Sequence, residues 1–407
     1  MDANDQGLVK FTVLAHALFH TYELSIPLFV GLWMAEFGVS AAIIGVVVGA
    51  GYGLIGLGAP PSGMLADRFS SRRLILVSIL GMGGSFALIS LAQGPVSLAL
   101  AVVLWGTFAS LYHPCGLSLI SRAAKARGTV FGYHGAGGNV GTAVGPLTTA
   151  LLLLWLDWRL TAVLLAVPAA VAAAIGLRIE FDPRDGQASG TTAPTTSRTA
   201  SFVAEVRQTV ADSRRLFGVG FAIAFVAVLL YGTYYRGLLT FLPDVLGETP
   251  QLAPFELFGL QINPAQYVYS ALLTVGIAGQ YLGGRLTDHV RSETAFVGAF
   301  AGLLTLAVLF PVGQRVGVLP LLAVSLALGF VVYGTAPIYQ VVIAEQADDT
   351  VHGLSYGFTY LAMFGIGAVG ATLAGFVLTH WNSATLFATL AGIAATAIVC
   401  VLVLRRH

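Results

Sequence analysis

Apolar residues follow one another along this chain in twelve long stretches, and short polar turns separate them. A helix that crosses the hydrocarbon core of a bilayer needs about 20 such residues. We therefore predict an all-α membrane protein with twelve transmembrane helices in two pseudo-symmetric six-helix bundles. To within about 2 to 4 residues, the helices are placed at 9–33, 40–66, 73–93, 95–121, 128–155, 159–178, 215–246, 263–287, 293–313, 316–344, 353–380 and 382–404.

Composition agrees with lipid as the solvent of this chain. Of its 407 residues 57% are hydrophobic and 10% are charged, and the mean hydropathy is +0.84. The net charge of +1 comes from basic residues scattered over turns, so nucleic acid is not expected as a partner. Cys115 and Cys400 lie in apolar helices and indicate neither a disulfide framework nor a metal site. No cofactor motif is present in the sequence.

The basic residues also predict the orientation in the membrane. If the helices alternate, all of the 20 Lys and Arg residues except Arg159, Arg236 and Arg315 fall on one side or in its loops. Positively charged loops face the cytoplasm. We expect a multi-pass protein of a prokaryotic cytoplasmic (inner) membrane, with both termini cytoplasmic. The acidic start of the chain does not resemble a cleavable signal, so the first helix should be retained.

Two motifs occur twice and divide the chain. Gly63-Met64-Leu65-Ala66-Asp67-Arg68 is echoed by Gly284-Arg285-Leu286-Thr287-Asp288-His289, and Gly145 is echoed by Gly370. A Ser, Thr, Gly and Pro-rich segment lies between the copies. We predict an N-terminal bundle at 1–180, a cytoplasmic linker at 181–214 and a C-terminal bundle at 215–407. Within the linker, Ser201 to Ser213 has the pattern of a helix on the membrane surface, and a partly ordered tether is the alternative.

The first predicted helix carries ionisable residues on one face. His16, His20 and Glu23 are spaced i, i+4 and i+7, and Glu23 is about 20 Å of helical rise from Lys10, past the middle of the core. A charge at that depth is costly unless it faces a partner or a water-filled cavity. We predict proton coupling by Glu23, His20 and His16. The alternatives are a structural carboxylate at Glu23 and a packing role for His16.

A second group of residues is predicted to bind the substrate. Arg236 aligns with His20 when Pro27 is matched to Pro243, and a guanidinium grips anions with two hydrogen bonds. Its count of about 32 Å from Arg215 places it near the outer face, where a snorkelling interfacial arginine is the alternative. The other members are His113, His134, Asn139, Tyr333, Tyr339 and Gln340. For these, helix-to-helix hydrogen bonds and aromatic packing are the competing explanations.

The first motif, extended to Gly63-Met64-Leu65-Ala66-Asp67-Arg68-Phe69-Ser70-Ser71-Arg72-Arg73, resembles the signature between helices 2 and 3 of the major facilitator superfamily. The resemblance implies a gate made by Gly63, Asp67, Arg68 and Arg72, with Asp288 and Arg285 as its second copy. A solvated turn is the alternative. Gly132, Gly141, Gly145 and Pro146 resemble the antiporter signature of helix 5, and close helix packing without any bearing on transport direction is the alternative.

The sequence is also similar to the fosmidomycin-resistance branch of drug exporters. The similarity rests on Tyr112-His113-Pro114, Gly137-Gly138-Asn139-Val140-Gly141, Phe241-Leu242-Pro243 and the spacing of His16, His20, Tyr22 and Pro27. It implies a substrate-binding place for Tyr22. Two positions depart from the branch, because His20 replaces an aspartate and Cys115 stands where an acid is common.

These patterns lead to a functional expectation. We expect a monomeric secondary transporter, a proton-coupled antiporter that exports a small drug-like or anionic organic molecule by alternating access. The alternatives are a proton symporter importing a small organic anion and a membrane receptor or assembly protein that keeps the fold without transporting. The sequence contains no P-loop, H-E-x-x-H or nucleophile elbow, so an enzyme is not expected.

Overall fold

The computed structural model describes residues 1–185, 213, 215–347 and 352–406, without the side chains of Asp67 and His352. The predicted linker helix at Ser201 to Ser213 lies almost wholly outside the described residues. We number the helices by the crossing to which they belong. In the first half they are α1 (Ala3–Phe37), α2 (Ala41–Leu57 and Ala59–Arg68), α3 (Ser71–Ser90), α4 (Pro95–Ala109 and Tyr112–Ala123), α5 (Arg127–Leu153) and α6 (Trp158–Arg178).

The second half repeats this series. Its helices are α7 (Val219–Leu239 and Leu242–Gly247), α8 (Pro264–Thr287), α9 (Ser292–Val316), α10 (Val318–Gln346), α11 (His352–Tyr360 and Val369–His380) and α12 (Ser383–Leu404). Among the described residues, eleven helices are long and apolar enough to cross a membrane. The twelfth long helix is α8, with 24 residues. Its amides and Arg285 make it less apolar than the others.

Several predicted helices are broken where proline follows. The two parts of α2 meet at Gly58, just before Pro60 and Pro61, and those of α7 meet around Phe241, just before Pro243. A proline cannot donate its nitrogen to the preceding turn, and it restricts the residue before it, so a new helix begins there. The sequence prediction placed the crossings correctly and missed these interruptions.

Two local features were also missed. In α11, the turns between its two helices are a π-helical segment at Leu361–Gly365 and a 3₁₀ segment at Ile366–Ala368. Such segments inside a helix are frequent at functional sites. The connection from α7 to α8 forms a small antiparallel hairpin, in which β1 (Phe255–Leu257) pairs with β2 (Leu260–Ile262).

The pairing of helices confirms the predicted fold class. Within the first six helices, α1 packs on α5, α2 on α4, and α3 on both α4 and α6. Each pair recurs in the second half when six is added to both numbers, as α7 on α11, α8 on α10, and α9 on α10 and α12. Between the halves, α2 packs on α11 and α5 packs on α8. These two contacts are also equivalent, because α8 is the counterpart of α2 and α11 is the counterpart of α5. The halves therefore pack internally by the same rule.

Glycines on α5 explain how closely it approaches α1. A Cβ added at Gly145 would lie 2.5 Å from the Thr21 Cα, and one added at Gly137 would lie 2.8 Å from the Val13 Cα. At Gly141 it would overlap the carbonyl oxygen of Ala17. The three glycines are four residues apart and meet positions on α1 that are also four apart, as small residues do when helix backbones touch.

Only part of the predicted antiporter signature lies in this contact between α1 and α5. Gly141 and Gly145 sit in the α1–α5 contact, and Pro146 is buried beside them. Gly132 does not belong to the contact, because an added Cβ would meet nothing within 4 Å there. The close approach instead uses Gly137, one turn before Gly141. In the second half, Gly370, the counterpart of Gly145, abuts the Thr233 carbonyl of α7 in the same manner.

Candidate functional site: a cavity between the two halves

A cavity of about 630 Å³ lies between the halves. Its walls come from α1, α4 and α5 of the first half and from α7, α8, α10 and α11 of the second. At one end its lining includes the exposed side chains of Ser121 and Tyr356, and at the other end it reaches Glu23, whose side chain is completely buried. The cavity therefore leads from the surface to the predicted proton-coupling residue.

The open end is the end that carries the N-terminus. Ser121 is two residues before the end of α4, and the turn that follows α4 is bonded to the start of the chain: the backbone nitrogens of Lys125 and Ala126 donate to the Asp5 carboxylate, each at 3.0 Å. The Lys125 ammonium lies 3.1 Å from Asp2 and 2.7 Å from Asp185. These two carboxylates raise the pKa of Lys125, so the cluster keeps its charge.

The opposite end is closed by contact between α2 and α11. A Cβ added at Gly45 would lie 2.6 Å from the Ala371 carbonyl oxygen, and one at Gly375 would overlap the Ala41 carbonyl. The Thr372 hydroxyl donates to the Gly45 carbonyl at 3.2 Å, and the Ala42 nitrogen donates to the Thr379 hydroxyl at 2.8 Å. The halves thus touch through backbone at this end, where only glycine leaves enough room.

Glu23 is held by both halves of the molecule. The Arg236 guanidinium of α7 donates to its Oε1, and His20 Nδ1 lies 2.8 Å from its Oε2. The Tyr52 hydroxyl donates to the backbone carbonyl of Glu23 at 2.8 Å, and the Tyr52 ring lies under the guanidinium, 3.8 Å from Cζ to the ring centre. Burial favours the neutral acid, but a contacting guanidinium favours the carboxylate. The opposing cation that the sequence prediction left open is therefore Arg236.

A chain of hydrogen bonds continues from Glu23 along α1. His20 Nε2 lies 3.1 Å from His16 Nε2, and His16 Nδ1 lies 2.8 Å from the His134 carbonyl oxygen. That oxygen only accepts, so His16 carries a proton on Nδ1. One Nε2 must then donate to the other, and a proton must lie between His20 and Glu23. All three bonds are made only if the trio holds one proton more than a carboxylate and two neutral imidazoles would.

The structure brings most of the predicted substrate residues to the cavity wall. His16 stacks on His134, with ring centres 4.0 Å apart, and His113 meets His16 edge-on at 5.2 Å. The cavity lining includes six of the predicted residues, namely His113, His134, Asn139, Tyr333, Tyr339 and Gln340. His113 Nδ1 is buried without a hydrogen-bond partner among the described residues.

Two predicted substrate residues lie elsewhere. Tyr22 is completely buried between helices, and its hydroxyl donates to the Leu165 carbonyl of α6 at 2.9 Å. It packs α1 against α6, because its position on α1 turns it away from the face of His20 and Glu23, so its predicted substrate role is withdrawn. Arg236 is also absent from the described lining, since it lies behind Glu23.

The snorkelling alternative for Arg236 is wrong, because its side chain is buried between the two halves. Its side chain is 2% exposed and pairs with Glu23 instead of snorkelling at the outer face.

The predicted gate residues have mixed positions. Arg72 donates to the carbonyls of Gly176, Leu177 and Ile179 at 2.7 to 3.1 Å, so in this conformation it caps the end of α6 within its own half. Arg68 is exposed, Gly63 has open space beside it, and the Asp67 side chain is outside the description. Asp288 is exposed at the end of α8, and Arg285 lies over the Tyr281 ring.

Some site residues escaped the sequence reasoning. Tyr52, Tyr235 and Phe364 surround the Arg236 guanidinium, with ring centres 3.8 to 5.5 Å from its Cζ atom. Gln280 lines the cavity, and its Oε1 is buried without a described partner. Aromatic residues in apolar helices give no sequence signal of this role, although an amide at mid-helix does. His16, His20 and His113 could hold a transition-metal ion, since they offer ring nitrogens within 4.8 Å of one another.

Comparison with known proteins decides the family. The model of the Major Facilitator Superfamily matches residues 12–368. The chain belongs to this superfamily. It is therefore a multi-pass membrane transporter, as the two six-helix halves and the cavity between them indicate.

Among its relatives, the puromycin resistance protein of Streptomyces alboniger is 29% identical over 66% of this chain and 60% of that protein. The fosmidomycin resistance protein of Escherichia coli is 22% identical over 92% of this chain and 87% of that protein. Its presence confirms the resemblance to that branch. A solved bacterial homolog of the human lysosomal transporter Spinster, in an inward-facing and occupied conformation, superposes with a TM-score of 0.73 at 15% identity, over 100% of this chain and 98% of that one.

Proposed function

We propose that this superfamily member is a proton-coupled antiporter that exports a small drug-like or anionic organic molecule across a prokaryotic inner membrane, with both termini cytoplasmic. The observation that carries the proposal is the position of Glu23. It lies at the closed end of a cavity, bonded on one oxygen to the other half of the protein and on the other oxygen to a histidine chain. The interactions of Glu23 therefore depend on its protonation, on substrate in the cavity and on the contact between the two halves.

In this proposal, a proton and the substrate compete for the same position beside Glu23 and His20. In the conformation described, the cavity opens toward the cytoplasmic end, and the extra proton of the trio can leave through His16, which lines it. A substrate that donates a hydrogen bond or a positive charge to Glu23 or His20 replaces that proton. Rocking of the halves then exposes the occupied site to the other side, where a proton displaces the substrate. His113, His134, Asn139, Tyr333, Tyr339 and Gln340 line the substrate space.

The first experiment uses everted vesicles under an imposed pH gradient. Because the substrate is unknown, a growth screen of a sensitive host against puromycin, fosmidomycin and other toxic compounds comes first, and the best compound is then followed in vesicles. We expect Glu23→Gln to lose uptake driven by the gradient while keeping exchange of labelled for unlabelled compound. The matched control is Glu36→Gln, on the same helix but paired with Arg159 away from the cavity. Gradient-driven transport by Glu23→Gln at the parental rate would refute the proton role.

A symporter of a small organic anion is the second candidate, and the Glu23–Arg236 pair favours it. Protonating Glu23 removes the charge that occupies Arg236, whose Nε is buried without a described partner, so proton and anion would then bind together. The two candidates differ in the sign of the pH change when substrate is added to the cytoplasmic side of vesicles without a gradient. Antiport lowers the pH on the cytoplasmic side, because protons arrive there in exchange for the substrate that leaves. Symport raises that pH, because protons leave together with the substrate.

A further inference from the structure

A second cavity, of about 780 Å³, lies in the C-terminal half, away from the cavity between the halves. It is a groove between α8 and α9, which both pack along α10 and hardly touch each other. Its floor is formed by α10, where Phe330 and Gly334 meet α8 at backbone distance through Gly279 and Gly283. Helices α8 and α9 form its two rims, and the exposed Leu282 and Leu286 of the α8 rim suit a surface that faces the bilayer.

The groove is lined almost entirely by apolar side chains and glycine. On the α9 rim, Gly298 has open space beside it, and Gly302 lies next to the Val331 side chain. On the α8 rim, Leu282 and Leu286 are about half exposed. A bilayer fills such a furrow with hydrocarbon, because an unfilled one would lose dispersion contacts along its whole length. Its shape therefore suits an acyl chain.

One end of the groove is basic. Arg285 and His289 follow each other at a spacing of four around the end of α8, and both belong to the lining. No acidic side chain is among the described lining residues. This end of α8 lies on the predicted cytoplasmic side, where the leaflet carries anionic lipids and where basic pockets between helices bind lipid head groups.

We propose that this groove binds an anionic phospholipid, with an acyl chain between α8 and α9 and the head-group phosphate on Arg285 and His289. The proposal assigns Arg285 to a lipid site, whereas its sequence motif predicts a gate. It does not depend on the direction of transport or on proton coupling. A zwitterionic phospholipid would fill the same hydrocarbon space but would gain less from the two basic side chains.

The test is lipid binding to the full-length purified protein. Delipidated protein in detergent is titrated with phosphatidylglycerol or phosphatidylcholine, and bound lipid is counted by native mass spectrometry. We expect phosphatidylglycerol to bind more tightly, and Arg285→Gln to weaken it about fivefold, which corresponds to about 1 kcal/mol for one cation near the membrane surface. Arg291→Gln is the matched control, since that side chain is 71% exposed and belongs to no lining described for the groove.

A second pair of variants tests the hydrocarbon part. Gly298→Leu adds a side chain to the groove and Gly392→Leu adds one on α12, and at both positions nothing lies within 4 Å of the added Cβ. Gly298→Leu should reduce binding of both lipids, and Gly392→Leu should not. The proposal fails if the parent binds the two lipids equally, if Arg285→Gln and Arg291→Gln behave alike, or if filling the groove leaves binding unchanged. Melting temperatures of all four variants verify that each is folded.

Discussion

Glu23 of α1 and Arg236 of α7 are 213 positions apart in the chain, and they form a buried ion pair that joins the two halves. Breaking such a pair by removing one partner leaves a buried charge and costs about 3–5 kcal/mol. Removing both partners leaves no charge behind.

The ion pair predicts a pattern of stabilities. Arg236→Gln should lower the melting temperature strongly, because the Glu23 carboxylate keeps only His20 as its partner. Glu23→Gln should lower it as well, and the double variant should melt higher than Arg236→Gln alone. Thermal unfolding in detergent measures all three. Additive losses in the double variant would show that the two side chains do not stabilise each other.

The α1–α5 contact predicts opposite outcomes for two glycines of one motif. Gly141→Ala should abolish most folded protein or transport, because its Cβ overlaps the Ala17 carbonyl oxygen, which belongs to backbone and cannot turn aside. Gly132→Ala should be tolerated, since nothing lies within 4 Å of its added Cβ. Yield after size-exclusion chromatography and transport per folded molecule are the measurements. Equal behaviour of the pair would mean that α1 and α5 do not approach as described.

The closed end predicts a shift in conformation. Gly45→Ala places a methyl group 2.6 Å from the Ala371 carbonyl oxygen, so it should hinder the approach of α2 to α11 and raise the population that is open at that end. Distances between spin labels on α2 and α11 would report it. Gly53→Ala is the control on the same helix, because its nearest neighbour, the Gly365 carbonyl oxygen, is 3.5 Å away. Identical distance distributions in the parent and Gly45→Ala would contradict the prediction.

Hydrogen bonds from Arg122 of α4 hold the first signature motif in place. Its guanidinium donates to the Ala66 carbonyl at 3.2 Å and to the Ser71 hydroxyl at 2.8 Å, on either side of the α2–α3 turn. Arg122→Gln should slow transport several-fold, because the turn loses this tether. Arg127→Gln, an exposed change of the same charge, should have little effect. Transport rates that fall equally in both variants would indicate a general effect of charge.

The twelve crossings, the duplication and the family can be predicted from the chain's residues alone. Each crossing must satisfy its own backbone hydrogen bonds in lipid, so twelve apolar stretches predict twelve helices whatever their neighbours are. The sequence also placed His16, His20 and Glu23 on one face, since that follows from the helical period within a single segment. The family motif and the second copy of Gly145 at Gly370 needed no coordinates either.

Which residues share a site depends instead on how the helices pack together. The partner of Glu23 lies on another helix, 213 positions away, so a count of residues along α7 could not show that Arg236 is buried against it. Tyr22 and Gly132 were misplaced for a related reason: the side of a helix that faces a cavity is chosen by the helices packed around it. Contacts between segments far apart in the chain are therefore set by packing, which a single sequence does not record.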